Sequence, residues 1–283
     1  MTFTKTEDTM PPEQPDRSEL LFALNDVWDA LDALLVGLAA DQWAIPTCLP
    51  GWTVSDVVAH IIGTERLLAG DPFPSVATDV AAYTHVANDI AAANEIWVES
   101  LRGIPPAQML GTLRESIARR REALHGMTQA DFDAPSWTPA GQATYGRFMQ
   151  IRIYDTWMHE QDIRAAVGQP GHQSGPAAAI SLAELNRALG YIVGKRAAMP
   201  QGTGIRFELT GAIPGRIDVA VDGRAMVVPD LNRTPTVTLR LTSELLLRLG
   251  GGRAAAADHT AEIAIKGDRD LAHTLLDNLA FTV

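Results

Sequence analysis

The chain has 283 residues, 46% hydrophobic and 20% charged, enough to bury a substantial core and about two domains' worth at roughly 150 residues each. That composition, without a Gly-X-Y period or a low-complexity block, excludes disordered and fibrous classes. Twenty-three Lys and Arg against 34 Asp and Glu leave a formal charge of -11. Such a field repels phosphate backbones and anionic lipid, so neither nucleic acid nor a membrane surface is expected as a partner.

The first residues, MTFTKTEDTMPPEQPDRSE, hold no apolar segment that reads as a signal peptide, and no later run of about 18 apolar residues occurs. A cytoplasmic protein is expected. The single cysteine, Cys48, excludes an intramolecular disulfide framework and a Cys-rich zinc module, so a metal site would be built from His and carboxylates.

Residues 1–16 are polar, Pro-rich and aperiodic, and read as a flexible tail. From Leu20, apolar residues at Leu24, Val27, Leu31, Leu34, Leu35 and Leu38 place one stripe on a long first helix. After Pro46, Pro50 and Gly51, a second helix begins near Thr53 with an N-cap hydroxyl and runs to about Leu68. Gly70, Pro72 and Pro74 close it. A third amphipathic helix is expected over 76–101, with Tyr83, Val86, Ile90 and Trp97 on its stripe, a fourth over 107–125, and a fifth over 144–167 after a loop at 131–141. Five helical segments with no strand signal among them predict a helix bundle over 17–167.

The Gly, Pro and Gln-rich stretch 168–175 reads as a linker, and a further helix is expected over 177–197. Beyond Gly202 the period becomes two: Ile205, Phe207 and Leu209, then Ile217, Val219 and Val221, then Val237, Leu239 and Leu241, and last Ile263 and Ile265. Asp222-Gly223 is a tight-turn signal and predicts an antiparallel hairpin between the middle pair. Short helices over 243–249 and 268–279 complete a small mixed α+β domain over 176–283. The expected fold class is therefore α plus α+β in two domains.

On the fifth helix Phe148, Ile151, Asp155, His159, Asp162 and Ala166 share one broad stripe. Asp155 and His159, four residues apart, leave the same face about 40° apart, one turn from each other. A carboxylate and an imidazole so placed can reach one cation; a plain hydrogen-bonded pair at the bundle's edge is the alternative. An ionised carboxylate facing a bundle interior costs several kcal/mol unless neutralised, and a divalent cation would neutralise it. A third ligand would come from another helix. His60, with Val57, Thr64 and Leu67 at helical offsets, is the first candidate and His85 the next, while His125, His172, His259 and His273 lie near ends, joints or the second domain.

The segment Thr47-Cys48-Leu49-Pro50-Gly51-Trp52-Thr53-Val54-Ser55-Asp56-Val57-Val58-Ala59-His60 resembles the Pro-Gly-Trp-Thr, six residues, His signature of the mycothiol-dependent maleylpyruvate isomerase family, DinB-like metal-binding bundles. Arg152-Ile153-Tyr154-Asp155-Thr156-Trp157-Met158-His159-Glu160-Gln161-Asp162 is similar to that family's second signature, an acidic residue followed four places on by His. The stretch Val237 to Arg253, with Ile265-Lys266-Gly267-Asp268, resembles the sterol-carrier-like domain that follows the bundle in this family. The resemblance implies His60, Asp155 and His159 as ligands of a divalent metal, usually zinc. The isomerase has Glu at the acidic position where this chain has the shorter Asp155.

Three N and O ligands leave a coordination position open, as in catalytic sites. The resemblance implies that mycothiol, the low-molecular-weight thiol of actinobacteria, enters there as cosubstrate, and that the metal-activated thiolate attacks a small electrophile in an isomerase or transferase reaction. Arg253 and Arg269 of the second domain are candidates for a substrate carboxylate, with plain surface solvation as the alternative. Tyr83 and Asn88 are candidates for a thiol pocket, with packing or capping as the alternative. Asp162 is placed to hold a ligand imidazole, Trp52 and Trp157 read as pocket wall or core, and Cys48 as inert filling. No phosphate-binding Gly loop, nucleophile elbow or HExxH occurs. The rival reading is a non-catalytic, metal-containing ligand-binding or regulatory protein. Oligomeric state has no signature in the chain.

Overall fold

In a computed structural model of the chain, which describes residues 15–282, helices lead and a mixed sheet follows. Helix α1 (Arg17–Val36) starts where Asp16 accepts the backbone amides of Ser18 and Glu19, and it buries Leu20, Leu24, Val27, Leu31 and Leu35. The expected tail lies outside the described residues except at its end, where Asp16 serves as that cap. Helix α2 (Val54–Leu68) starts in a capping box, with Thr53 and Asp56 each satisfying the other's amide. Helices α3 (Asp89–Leu101), α4 (Pro106–Gly126), the short α5 (Gln129–Asp133) and α6 (Tyr145–Val167) complete this part. α1, α4, α2 and α6 pack pairwise in a closed ring, and α3 lies on the outside of α2. Gly63 permits that contact, since a Cβ there would stand 2.3 Å from Trp97 Cβ.

Two expectations for this part fail. The third helix does not run over 76–101: α3 begins only at Asp89, and the preceding residues form loop and a single 3-10 turn, Val80–Ala82. Tertiary contacts hold that loop, as His85 packs on Gly51 and Tyr83 bonds Glu99, and these override the helical period. The helical part is also not free of strands. β1 (Pro135–Thr138) and β2 (Gly141–Thr144) pair as an antiparallel hairpin ahead of α6, too short to show a period of two.

Helix α7 (Pro176–Tyr191), which ends in a π turn at Ile192–Arg196, packs on α6 and α1 and also on strand β5 of the sheet. Gly190 and Gly194 allow that approach, as Cβ atoms there would meet Ala225 at 2.9 and 3.0 Å. The sheet has the order β5-β4-β3-β6-β7, from β3 (Gly204–Thr210), β4 (Gly215–Asp222), β5 (Arg224–Val228), β6 (Val237–Thr242) and β7 (Ala264–Gly267). Helices α8 (Ser243–Gly250) and α9 (Arg269–Leu276) accompany it. The Asp222-Gly223 turn joins β4 to β5, a strand the alternation did not reveal, while β6 pairs parallel with β3. The expected hairpin between the 217–221 and 237–241 runs is thus replaced by two different pairings. One continuous set of buried apolar side chains runs from the bundle through Ala177, Ala178, Leu185 and Leu189 of α7 into Ile205, Phe207 and Leu239 of the sheet.

Candidate metal centre

His60 comes from the second turn of α2, Asp155 and His159 from the middle of α6, and packing of these two helices brings them together. His60 Nε2 stands 3.4 Å from Asp155 Oδ2, and His159 Nε2 stands 3.5 Å from Asp155 Oδ1. One ligand atom from each residue lies within 4.8 Å of the others, the only such trio among the described residues. The two rings meet edge to face, centroids 4.7 Å apart. Tetrahedral coordination at about 2.0–2.1 Å requires donor separations of about 3.3–3.4 Å; the carboxylate contacts, 3.4 and 3.5 Å and made to different oxygens, are near that spacing. The imidazoles are 5% and 7% exposed and Asp155 is 31% exposed, so the trio opens to solvent on the carboxylate side.

The surroundings fix the tautomer of one ligand. His159 Nδ1 lies 3.1 Å from Asp162 Oδ2, so its N–H is donated there and the Nε2 lone pair faces the trio. Asp162, almost fully buried, also accepts Arg253 Nε and Nη2, each at 3.4 Å, and the Cys48 thiol at 3.3 Å. His60 Nδ1 is buried without a partner. Burial pushes the His60 imidazole down, whereas at His159 the carboxylates of Asp155 and Asp162 outweigh burial and raise it. Burial would raise the Asp155 carboxyl, but His159, Arg152 and His60 hold it well below the usual range. Although Cys48 is an exposed residue, desolvation at its sulfur and the adjacent Asp162 carboxylate push the thiol up, which keeps it protonated at neutral pH.

Trp52 walls the site. Its ring centroid is 5.2 Å from that of His60 and 6.1 Å from that of His159, and its Nε1 donates to Glu95 Oε2 at 2.8 Å. Glu95, only 1% exposed, also takes Arg102 Nη2 at 2.6 Å and contacts His85 Nε2 at 3.1 Å. Gly51 makes the motif possible: its φ is +79°, and a Cβ would lie 2.7 Å from the His85 ring. Pro-Gly-Trp-Thr therefore encodes a left-handed turn, a wall for the site and the cap of the helix that carries His60.

The expectation that a buried Asp155 calls for a cation to neutralise it needs correcting. Arg152, one turn earlier on α6, ion-pairs with Asp155 Oδ2, so the charge is matched without a metal. In the sequence Arg152 and Glu65 carry no assigned role, and the run Arg119 to Arg121 reads as a solvated outer face, whereas Arg120 is buried in the bundle. Each of the three is charged and sits at a buried helical position, which is the available signal, and the same holds for Glu95 on α3. Arg253 reaches the centre's edge, but through Asp162 and not toward the trio. Arg269 lies elsewhere, lining a cavity of about 370 Å³ with Ile263, Ile265, His273 and Leu276. Tyr83 donates to Glu99 at 3.2 Å and stacks on His85, while Asn88 caps α3 by accepting the Ala91 amide at 2.9 Å. His85 bonds Glu95 and lies outside the trio. No described helix is long and apolar enough to cross a membrane.

Residues 24–164 match the family model described as mycothiol maleylpyruvate isomerase N-terminal domain, a span holding all three members of the trio. The uncharacterized protein Rv0036c of Mycobacterium tuberculosis is 32% identical over 148 residues, covering 50% of this chain and 53% of that protein. A second uncharacterized protein of that organism, Rv0738, is 28% identical over 153 residues, 53% of this chain and 68% of that protein. The chain thus spans about half the length of the first of these relatives. Among solved structures, the crystal structure of the mycothiol-dependent maleylpyruvate isomerase superposes with a TM-score of 0.56 at 16% identity, covering 89% of this chain and 93% of that one. At that identity the likeness speaks for the fold. By its helical bundle, the chain belongs to the mycothiol maleylpyruvate isomerase N-terminal domain family.

Proposed function

We propose that the chain is a divalent-metal-dependent enzyme that uses mycothiol as thiol cosubstrate in an isomerase or transferase reaction on a small electrophile. The observation that carries this reading is the meeting of His60 Nε2, Asp155 and His159 Nε2 within 4.8 Å on a solvent-reaching side of the bundle. Zinc is the natural ion for two imidazoles and one carboxylate. Once bound, such a cation supplies a Lewis acid that lowers the pKa of a coordinating thiol and polarises a carbonyl.

The protein's own part is preorganisation. Asp162 fixes the His159 tautomer, and Arg253 from the sheet domain holds Asp162. Trp52, tied to Glu95, shields one side of the imidazoles from water and leaves the carboxylate side for a thiol and an electrophile. Because Arg152 already balances Asp155, the bundle has no need of the cation as a structural counter-charge, which favours an exchangeable, working ion.

The second reading is a ligand-binding protein with a passive metal, with the sheet domain, likened above to sterol carriers, as the ligand's seat. The cavity of about 370 Å³ beside Ile263, Ile265 and Leu276 favours it. Metal analysis followed by thiol titration of the cobalt-substituted protein separates the two, since only the enzyme reading expects the cobalt spectrum to change. Turnover with mycothiol and a panel of electrophiles, compared between wild type and His159→Ala, completes the test. Equal turnover would remove the catalytic assignment.

A further inference from the structure

Behind the metal centre runs a chain of buried charges. Glu65 on α2, Arg120 on α4 and Arg152 on α6 are 1%, 3% and 3% exposed. Glu65 takes Arg152 Nη2 on Oε1 at 2.7 Å and Arg120 Nε on Oε2 at 3.1 Å. Arg120 Nη2 donates to the Tyr145 hydroxyl at 2.9 Å, and Arg152 Nη2 also reaches Thr156 Oγ1 at 3.2 Å. The free arm of Arg152, Nη1, ends on Asp155 Oδ2.

Two consequences follow for Asp155. Its two oxygens differ: Oδ2 accepts the Arg152 guanidinium and also faces His60 Nε2 at 3.4 Å, while Oδ1 has the His159 contact at 3.5 Å and no guanidinium. An oxygen that shares its charge with a guanidinium is the poorer ligand. The chain is also balanced without a metal, because Asp155 and Glu65 offset Arg152 and Arg120. The Asp162 and Arg253 pair beside the trio is balanced too. A divalent ion would therefore arrive with its charge largely uncompensated by the protein.

We propose that Arg152, locked by Glu65 and Arg120, is a positioning residue that gives the cation a single oxygen of Asp155, Oδ1, and acts as a charge brake on cation affinity. The inference rests on the trio being a cation site. A brake keeps the ion's charge available to exogenous anionic ligands, where a plain carboxylate would quench it.

The test is Co²⁺ binding to the full chain, read by competition with a chromophoric chelator and by the visible absorption of the bound ion. Arg152→Gln, its fold checked by circular dichroism, is expected to bind Co²⁺ tighter by roughly tenfold or more, because a positive charge near the ion is gone. Its visible band is expected to weaken as the freed Oδ2 joins the coordination sphere. Arg152→Lys, which keeps the charge, is expected to return affinity toward wild type. A role in scaffolding alone predicts the opposite direction, a loss of affinity of about 10–100-fold, and that result or an unchanged affinity overturns the proposal. Should Arg152→Gln not fold, Glu65→Gln leaves Arg152 less compensated and is expected to weaken Co²⁺ binding; no change there overturns the proposal as well. A wild-type protein that binds no Co²⁺ overturns the cation reading itself, a distinct outcome from wild-type binding that the variants leave unaltered.

Discussion

Asp162→Asn probes the joint between bundle and sheet at the centre. The carboxylate is almost fully buried and serves His159 Nδ1 at 3.1 Å and Arg253 at 3.4 Å. Asparagine keeps the shape and one acceptor but removes the charge. At 3.4 Å and an effective dielectric near 20, the Coulomb attraction is about 5 kcal/mol before desolvation. Removing one partner of a buried pair costs about 3–5 kcal/mol. The lower end applies, since Arg253 retains the Gly251 carbonyl and the Thr282 hydroxyl and is 14% exposed. We therefore expect a loss of about 3 kcal/mol in urea unfolding. Cation affinity, measured by chelator competition, is expected to fall by about 10–100-fold as His159 loses its orienting carboxylate. A double-mutant cycle with Arg253→Met isolates the pair. Unfolding within 0.5 kcal/mol of wild type together with unchanged affinity would refute both the ion pair and the orienting role.

Three further outcomes are expected. Gly63→Ala places a methyl 2.3 Å from Trp97 Cβ and should destabilise by about 1–3 kcal/mol despite alanine's better helix propensity; a stability gain by calorimetry would contradict the α2–α3 contact. Asn88→Ala removes the α3 cap and should cost about 1 kcal/mol, and a loss of thiol binding with no loss of stability would move Asn88 into the site instead. His172 bonds Glu160 through Nδ1 at 2.6 Å and Asp26 through Nε2 at 2.9 Å, and two acceptors favour the doubly protonated ring. Its pKa is raised, chiefly by the Glu160 hydrogen bond. The contribution to stability is thus fully present below the unfolded value of about 6.5 and fades as pH rises through the folded value. His172→Gln should flatten that decline in unfolding free energy as pH rises above about 6.5, and parallel curves for the two proteins would refute the linkage.

The bundle helices were legible because each must bury a stripe, and burial imposes the helical period: α1, α2, α4 and α6 start and stop within two residues of their signals. The trio was legible because two members share one helix turn and the third follows a motif whose glycine and cap have local causes. The segment before Asn88 misled because Tyr83 and Val86 show a helical period, yet His85 and Tyr83 are committed to Gly51, Glu95 and Glu99. The strands β1, β2 and β5 were too short or too exposed to carry alternation.

Local periodicity, caps and turns thus follow from the order of residues, since their physics acts over a few positions of chain. Which strand lies parallel to which, and which charge faces which, are settled only when distant elements pack. Arg152 stands three places before Asp155 in any reading of the chain, but Glu65 and Arg120, from two other helices, are what anchor its guanidinium at that carboxylate.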